Sequence, residues 1–312
     1  AVTEGSTGNE GGVMIGIPAY NEAGTIAEVV EAARSYADTV VVVDDGSADD
    51  TVTRARDAGA TVLQHDQNRG YGAALRTIFE EAADRQADHL VVLDADGQHD
   101  PSDVPKLVER QRSTDSDIVI GSRFVEGSET DVPPYRWLGI TVVNVLLNLT
   151  MGTLHPSKYV SDTQSGFRVY SRRSVETLAT DPEIGAGMNA STDILIHAER
   201  HGYDIDENPT TVNYDVENAN SHHPLVHGFS LVTNLLPTLQ RRRPLLVLGA
   251  PAALCLGVGV LLARTLLQNY ADTGLLAMSS MVPTVLFFTL GTFGLVTSSV
   301  LYALKQAALT DS

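Results

Sequence analysis

Short apolar runs that break off at turn residues recur through the first 125 residues of this chain: Val13–Pro18, Thr39–Val43, Thr61–Gln64, His89–Leu93, and Ile118–Ile120 with its exit Gly121-Ser122-Arg123. Runs this short and this apolar read as strands buried on both faces. Between them lie segments with helical spacing, such as Ile26, Val29, Val30 and Ala33 after the first run, and Leu75–Ala83 after the turn Asn68–Ala74. Strand and helix alternate about every 25 residues, which predicts an α/β fold with a doubly wound, mostly parallel sheet. In such a sheet ligands bind beyond the carboxyl ends of the strands. Those ends carry acid here: Glu22, Asp44, Asp45, Asp94 and Asp96. No G-x-G-x-x-G follows the first strand, so the dinucleotide-binding reading loses its main support.

The densest of these ends is Asp94-Ala95-Asp96-Gly97-Gln98-His99-Asp100-Pro101. A divalent cation escorting a diphosphate takes carboxylate and phosphate oxygens rather than a full protein cage. Two aspartates and the Gln98 amide oxygen are enough for that. Asp-Ala-Asp alone is a weak signal, because short acidic turns are common on any surface.

Charge and hydropathy divide the rest of the chain. There are 39 acidic and 21 basic residues, a net charge of −18, and only Lys106, Lys158 and Lys305 are lysine. A non-specific nucleic-acid binder needs the opposite balance. An acidic, lysine-poor surface resembles proteins of salt-loving archaea, where ionic strength screens self-repulsion. The single cysteine, Cys255, lies in an apolar run, so no disulfide framework is expected. Residues 1–11 read as disordered, without the pattern of a secretory signal. Residues 134–152 are apolar nearly all round, as a core helix or a helix lying at a membrane surface would be. Residues 224–243 read as a second amphipathic, membrane-proximal segment ending in Arg241-Arg242-Arg243. Leu245–Ala263 and Gly274–Leu304 contain no charge and are long enough to cross a bilayer. Gln268–Asp272 is expected to connect them, with Arg264 snorkelling to the interface. By the positive-inside rule Arg241–Arg243 and Lys305 place the amino-terminal domain and the tail, 306–312, in the cytoplasm of a two-span cell-membrane protein.

Taken together, Pro18-Ala19-Tyr20-Asn21-Glu22, Asp44-Asp45-Gly46-Ser47, the Asp94 stretch, Gly121-Ser122-Arg123 and Asp162-Thr163-Gln164-Ser165-Gly166-Phe167-Arg168 follow one another in a telling order. As a set they resemble the family 2 glycosyltransferases of the GT-A fold, over about residues 13–215 of a domain spanning 12–223. Within that family the chain is most similar to the dolichol-phosphate mannose synthases and polyprenyl-phosphate glucosyltransferases. The pair of spans, within 244–305, resembles the bacterial glucosyltransferases more than the single-domain synthases.

The resemblance implies that Pro18, Tyr20, Glu22, Asp44 and Asp45 line a nucleoside pocket, with Asp94, Ala95 and Asp96 completing the donor site. It implies that Asp94, Asp96 and Gln98 hold Mg²⁺ or Mn²⁺. Arg123 and Arg136 match arginines that bind the lipid phosphate, Arg168 is the next candidate, and Asp96, Asp162 and Arg123 are the expected catalytic residues. The activity implied is inverting transfer of a hexose from GDP-mannose or UDP-glucose to dolichyl or polyprenyl phosphate. Transfer to a lipid-linked glycan and a non-catalytic anchor that binds nucleotide sugar are the alternatives, and homo-oligomerisation stays open. Two positions depart from the family. His222 stands after Ser221 where lysine is usual, and Pro133 replaces the Gln of Gln-x-x-Arg-Trp, which argues for a single transfer.

Overall fold

The computed structural model describes residues 12–128, 134–153, 155, 158–182, 184, 185, 190–212, 239, 240 and 243–310. The chain forms two compact units, residues 1–228 and 229–312. The expected disordered amino terminus, Ser221-His222 and most of the amphipathic segment 224–243 fall outside the described residues.

The first unit is built on a seven-stranded sheet. Its elements in chain order are β1 (Val13–Ala19), α1 (Ile26–Ala33), β2 (Thr39–Asp44), α2 (Thr51–Asp57), β3 (Thr61–Gln64), α3 (Tyr71–Asp84), β4 (His89–Val92), α4 (Val104–Thr114), β5 (Ile118–Ser122), α5 (Pro134–Met151), β6 (Arg168–Ser171), α6 (Arg172–Leu178), α7 (Ala190–His201) and β7 (Ile205–Pro209). The sheet order is β3-β2-β1-β4-β6-β5-β7. Every neighbouring pair is parallel except the two that β6 makes, with β4 and with β5. This is the mixed, mostly parallel sheet of a GT-A fold.

The central strands are apolar on both faces because helices cover both. Ile15, Ile17, Val41, Val42, Val43, Val91 and Val119 are all fully buried, each contributing roughly 1.5–3 kcal/mol of transfer free energy. On α1, Ile26, Val29, Val30 and Ala33 form the buried stripe that their spacing predicted. On α3 the helix starts at Tyr71, four residues before the expected Leu75, because Gly70 adopts φ 96° at the N-cap and turns the chain in early.

In the second unit, helices Ala250–Thr273 and Met278–Thr310 pack against one another, joined by a turn whose Gly274 is left-handed (φ 71°) and donates to Tyr270 O at 2.8 Å. The expected connector Gln268–Asp272 is therefore helical, and the turn comes after it. Leu245–Thr273 and Met278–Leu304 are long and apolar enough to span a membrane, with mean hydropathy of 2.5 and 1.7. Their large apolar side chains face outward, Leu254 and Phe293 among them at 71% and 73% exposed. A soluble core helix buries such residues. A lipid-facing one does not.

Candidate active site

Parallel pairing brings three strand exits together, because Ala19 lies opposite Asp44 and Gly16 opposite Val92. Beyond β1, Asn21 takes a left-handed backbone (φ 56°), which its short polar side chain tolerates. Its N–H donates to Ser47 Oγ at 2.8 Å and its Oδ1 accepts from Ala48 N–H at 2.9 Å. Glu22 N–H donates to Thr51 Oγ1 at 2.8 Å. The exits of β1 and β2 are thus stitched into one rim. Pro18 is buried within β1, Tyr20 stands half exposed beyond it, and Glu22 follows.

Asp44 and Asp45 differ although they are adjacent. Asp44 is fully buried; one oxygen accepts from Ser47 N–H at 3.1 Å and Oδ1 has no hydrogen-bond partner. Native structures rarely leave such an acceptor unpaired. Asp45 instead accepts from Arg69 N–H at 2.9 Å, Gly70 N–H at 2.7 Å and His65 Nδ1 at 2.7 Å. Both of its oxygens are spent on the turn into α3.

After β4 the chain runs through Asp94, the buried Ala95 and Asp96, with Gly97 left-handed at φ 74°. Thr25 Oγ1, beside the start of α1, donates to Ala95 O at 2.7 Å and fixes this loop. Gln98 N–H donates to Asp96 Oδ1 at 3.0 Å. Asp94 Oδ1 accepts from Tyr71 O–H at 3.2 Å, and His99 Nε2 stands 3.7 Å from Asp94 Oδ2. Burial pushes the Asp94 carboxyl up, but the neighbouring His99, the hydrogen bond from Tyr71 and the Arg168 charge outweigh it, so its pKa is lowered. Asp96 is raised by burial and by the Asp94 charge. Glu22 is raised to about 7, by burial first and then by Asp96, with Asp49 and Asp94 adding to it.

Glu22, Asp94 and Asp96 therefore press on one another, and a compact cation relieves that repulsion. Hard carboxylate oxygens suit Mg²⁺ or Mn²⁺. Among the described residues no three His, Cys, Asp or Glu side chains close on one point. A cation here would complete its coordination with oxygens of its ligand and of water, as Mg²⁺ commonly does.

A segment running Val160–Phe167 forms the opposite wall. Gly166 lies so close to Asp94 that a Cβ there would collide with both carboxylate oxygens. Asp162 is fully buried and accepts from Arg123 Nε and Nη2, both at 2.7 Å, and from Arg123 N–H at 3.0 Å. Burial opposes its charge, but Arg123 overcomes this and holds its pKa below the ordinary carboxylate value. Asp162, expected among the catalytic residues, is thus held as the buried partner of Arg123.

Arg168 lies inside the protein behind this wall. It is 1% exposed, and its guanidinium donates to Ser165 O at 2.9 Å, Ser191 O at 3.0 Å and Thr163 O at 2.8 Å. It braces the wall from inside. The side chain of Arg136 is not among the described residues.

Tyr71, His99, Gly166 and Glu207 were not singled out from sequence. Glu207 accepts from Ser161 N–H at 2.8 Å and Asp162 N–H at 2.9 Å. His99 sits inside the Asp94 stretch and Tyr71 inside the glycine-bearing turn, so both were within reach of a closer reading. Nothing local marks Glu207, which lies in the polar strand Ile-Asp-Glu-Asn-Pro.

A mostly parallel sheet with one reversed strand and carboxylates at the carboxyl ends of its strands is the arrangement of the GT-A glycosyltransferase fold. The profile described as "Glycosyl transferase family 2" matches residues 14–179, and the chain belongs to that family. It is 30% identical over 230 residues to an uncharacterized protein of Methanocaldococcus jannaschii, covering 73% of this chain and 92% of that one. It is 28% identical to the UDP-N-acetylglucosamine–dolichyl-phosphate N-acetylglucosaminyltransferase of Methanococcus voltae, over 70% of this chain and 93% of that one. Glycosyltransferase AglJ of Haloferax volcanii is 27% identical over 93% of both chains. The glucosyl-3-phosphoglycerate synthase of Mycobacterium tuberculosis, solved with Mn²⁺, UDP and phosphoglyceric acid, shares the fold at a TM-score of 0.57 and 24% identity, over 75% of this chain and 78% of that one.

Proposed function

We propose that this glycosyltransferase moves a hexose from a nucleotide sugar, GDP-mannose or UDP-glucose, to dolichyl or polyprenyl phosphate, with inversion, at a membrane surface. The observation that carries the reading is the meeting of Glu22 with the Asp94–Asp96 loop at the strand exits, bridged by Thr25, whose hydroxyl contacts both Glu22 and Ala95 O, on a rim where the buried Asp44 Oδ1 stands as an unpaired acceptor. Asp44 suits an N–H or O–H of a nucleoside, with Pro18, Tyr20 and Glu22 flanking it. A Mg²⁺ or Mn²⁺ ion held by Asp94, Asp96 and Gln98 would supply charge against the departing diphosphate. Asp94 is kept ionised for this by Tyr71 and His99. The relatives that act on dolichyl phosphate support a lipid-phosphate acceptor.

The state of Asp162 favours a phosphate over a sugar hydroxyl as acceptor. A hydroxyl needs a base, and Asp162 is buried and paired. A phosphate monoester has a second pKa of about 6 and is already an anion near neutral pH. The protein then has to align acceptor and donor rather than move a proton. Arg123 and Arg136 remain the residues we assign to the acceptor phosphate, Arg123 from a position 13% exposed beside Asp162. The outward face of α5, with Trp137, Val142 and Val145 exposed and no charge from Trp137 to Met151, rests on lipid in this reading. The two long apolar helices anchor the chain, with the catalytic unit in the cytoplasm.

The test is a donor screen with purified full-length protein, a short polyprenyl phosphate and each of GDP-mannose, UDP-glucose and UDP-N-acetylglucosamine, with and without chelator. Chelator-sensitive formation of a polyprenyl phosphosugar from a hexose donor is expected. Transfer from no donor, or full activity in chelator, would overturn the reading or its metal.

A further inference from the structure

Two asparagines sit on the inward face of α5, one helical turn apart, in a helix otherwise apolar from Trp137 to Leu149 apart from Thr141. Asn144 is 5% exposed and Asn148 is fully buried. Asn148 Oδ1 accepts from Val160 N–H at 2.9 Å and from Thr153 Oγ1 at 2.8 Å, and its Nδ2 donates to Val160 O at 2.9 Å and Asn144 O at 2.8 Å. Asn144 Oδ1 accepts from Thr163 N–H at 3.1 Å and Thr163 Oγ1 at 2.6 Å, and its Nδ2 donates to Ser161 O. The side-chain amides thus pair with the backbone of 160–163 much as a neighbouring strand would.

The other side of that segment is fixed to the catalytic domain. Glu207 holds its Ser161 and Asp162 amides, Arg123 holds Asp162, Arg168 holds Thr163 and Ser165, and Gly166 abuts Asp94. The segment is braced on the core side without help from α5. Breaking the asparagine bonds therefore removes the polar register of the helix, whose Val143, Leu147 and Met151 still pack inward, and leaves Asp94 in place.

We infer that Asn144 and Asn148 are positioning residues for the acceptor: they register α5, and the apolar face it turns outward, against the wall that carries Asp162 and Arg123. The inference rests on the lipid-phosphate reading of the site and assigns that reading's acceptor geometry to two residues that touch neither substrate. Buried amides leave little room for sliding, since each broken bond strands a donor or acceptor away from water. The helix is therefore held in one register, and a lipid phosphate reaching in along it meets the donor at a fixed distance.

Trp137, on the exposed face of α5, is the only tryptophan of the chain, so its fluorescence reports this helix alone. The experiment uses full-length protein in phosphatidylcholine vesicles and compares wild type with Asn148→Asp and with the double variant Asn144→Ala/Asn148→Ala. Asn148→Asp keeps the side-chain volume and its acceptor and removes the two donated bonds. The measurements are Trp137 anisotropy, the KM for donor and for polyprenyl phosphate, kcat, and binding of UDP or GDP with Mn²⁺. We expect lower anisotropy and a rise in acceptor KM of roughly tenfold, the scale of losing an outer-shell partner, with donor KM and nucleotide binding unchanged. Retained nucleotide binding certifies that each variant is folded.

Donor and acceptor constants rising in parallel, or a lower melting temperature with both constants unchanged, would overturn the inference by showing a merely structural role. If wild type transfers to polyprenyl phosphate and the variants match it, this inference alone is lost. If wild type binds no nucleotide and transfers nothing, the functional reading falls and takes this one with it. Should the double variant fail to fold, Asn148→Asp decides.

Discussion

Asp94 is held by Tyr71 and His99 and crowded by the bare backbone of Gly166. A methyl group at 166 has nowhere to go except by displacing that carboxylate. Gly166→Ala should therefore lose transfer and Mn²⁺-stimulated nucleotide binding while the circular dichroism spectrum stays that of the wild type; unchanged activity would place Asp94 outside the site. The buried pair makes a different prediction. Arg123→Ala leaves the Asp162 charge inside the protein without its partner, a change that costs about 3–5 kcal/mol in comparable sites, to be read by urea unfolding. Because the folded pKa of Asp162 is lowered, its stabilisation is complete above the unfolded value near 3.9 and is lost as pH falls through the lower folded value. Wild type should thus lose stability below about pH 4 more steeply than Asp162→Asn, compared by thermal melts between pH 2 and 6. At this scale the sequence was legible where a residue type implied its chemistry. Asp94 and Asp96 stand at the exit of β4, where the end of the apolar run put them. Asp45, Asp162 and Arg168 carry the same chemistry inward, and no single-sequence signal distinguishes a carboxylate that meets solvent from one that meets a backbone amide.

β1, β2, β4 and β5 follow the apolar runs closely because strands covered on both faces must be apolar throughout, while β3, at the sheet edge, is partly exposed. The later strands escape this rule. β6 is four residues long and opens with Arg168, and β7 is an edge strand whose Glu207 braces the 161–162 amides and whose Asp206 pairs with Arg110 of α4. Neither has the periodicity that makes a strand readable. The two carboxyl-terminal helices were legible from the absence of charge as helices long and apolar enough to cross a membrane, while their turn was displaced because the polar stretch Gln268–Asp272 continues the helix to Gly274. Their packing depends on small residues: a Cβ at Gly291 would lie 2.6 Å from Leu256 Cγ, and one at Gly294 would lie 2.7 Å from Ala252 Cβ. Gly291→Val should splay the pair and lower the melting temperature of detergent-solubilised protein, by about 1–3 kcal/mol of overpacking. An unaltered melt would mean that the helices do not pack as described.

Over the whole molecule, a net charge of −18 sets a repulsion that no local contact removes. Screening shortens from about 10 Å in 0.1 M salt to about 3 Å in 1 M, so the melting temperature of the full-length protein should climb between those concentrations of KCl. A flat profile would show that self-repulsion does not limit its stability. The reversed strand has a wider consequence. β5 and β6 are neighbours both in sequence and in the sheet, so everything from Arg123 to Phe167 is one excursion that leaves the sheet and returns beside its own starting point. A parallel crossover must have a particular length and hand; a return to an antiparallel neighbour need not. The excursion is in effect a cassette. Its length can change while β1–β4, with the carboxylates at their tips, keep their register, so the wall facing those carboxylates can be rebuilt without rebuilding the sheet that carries them.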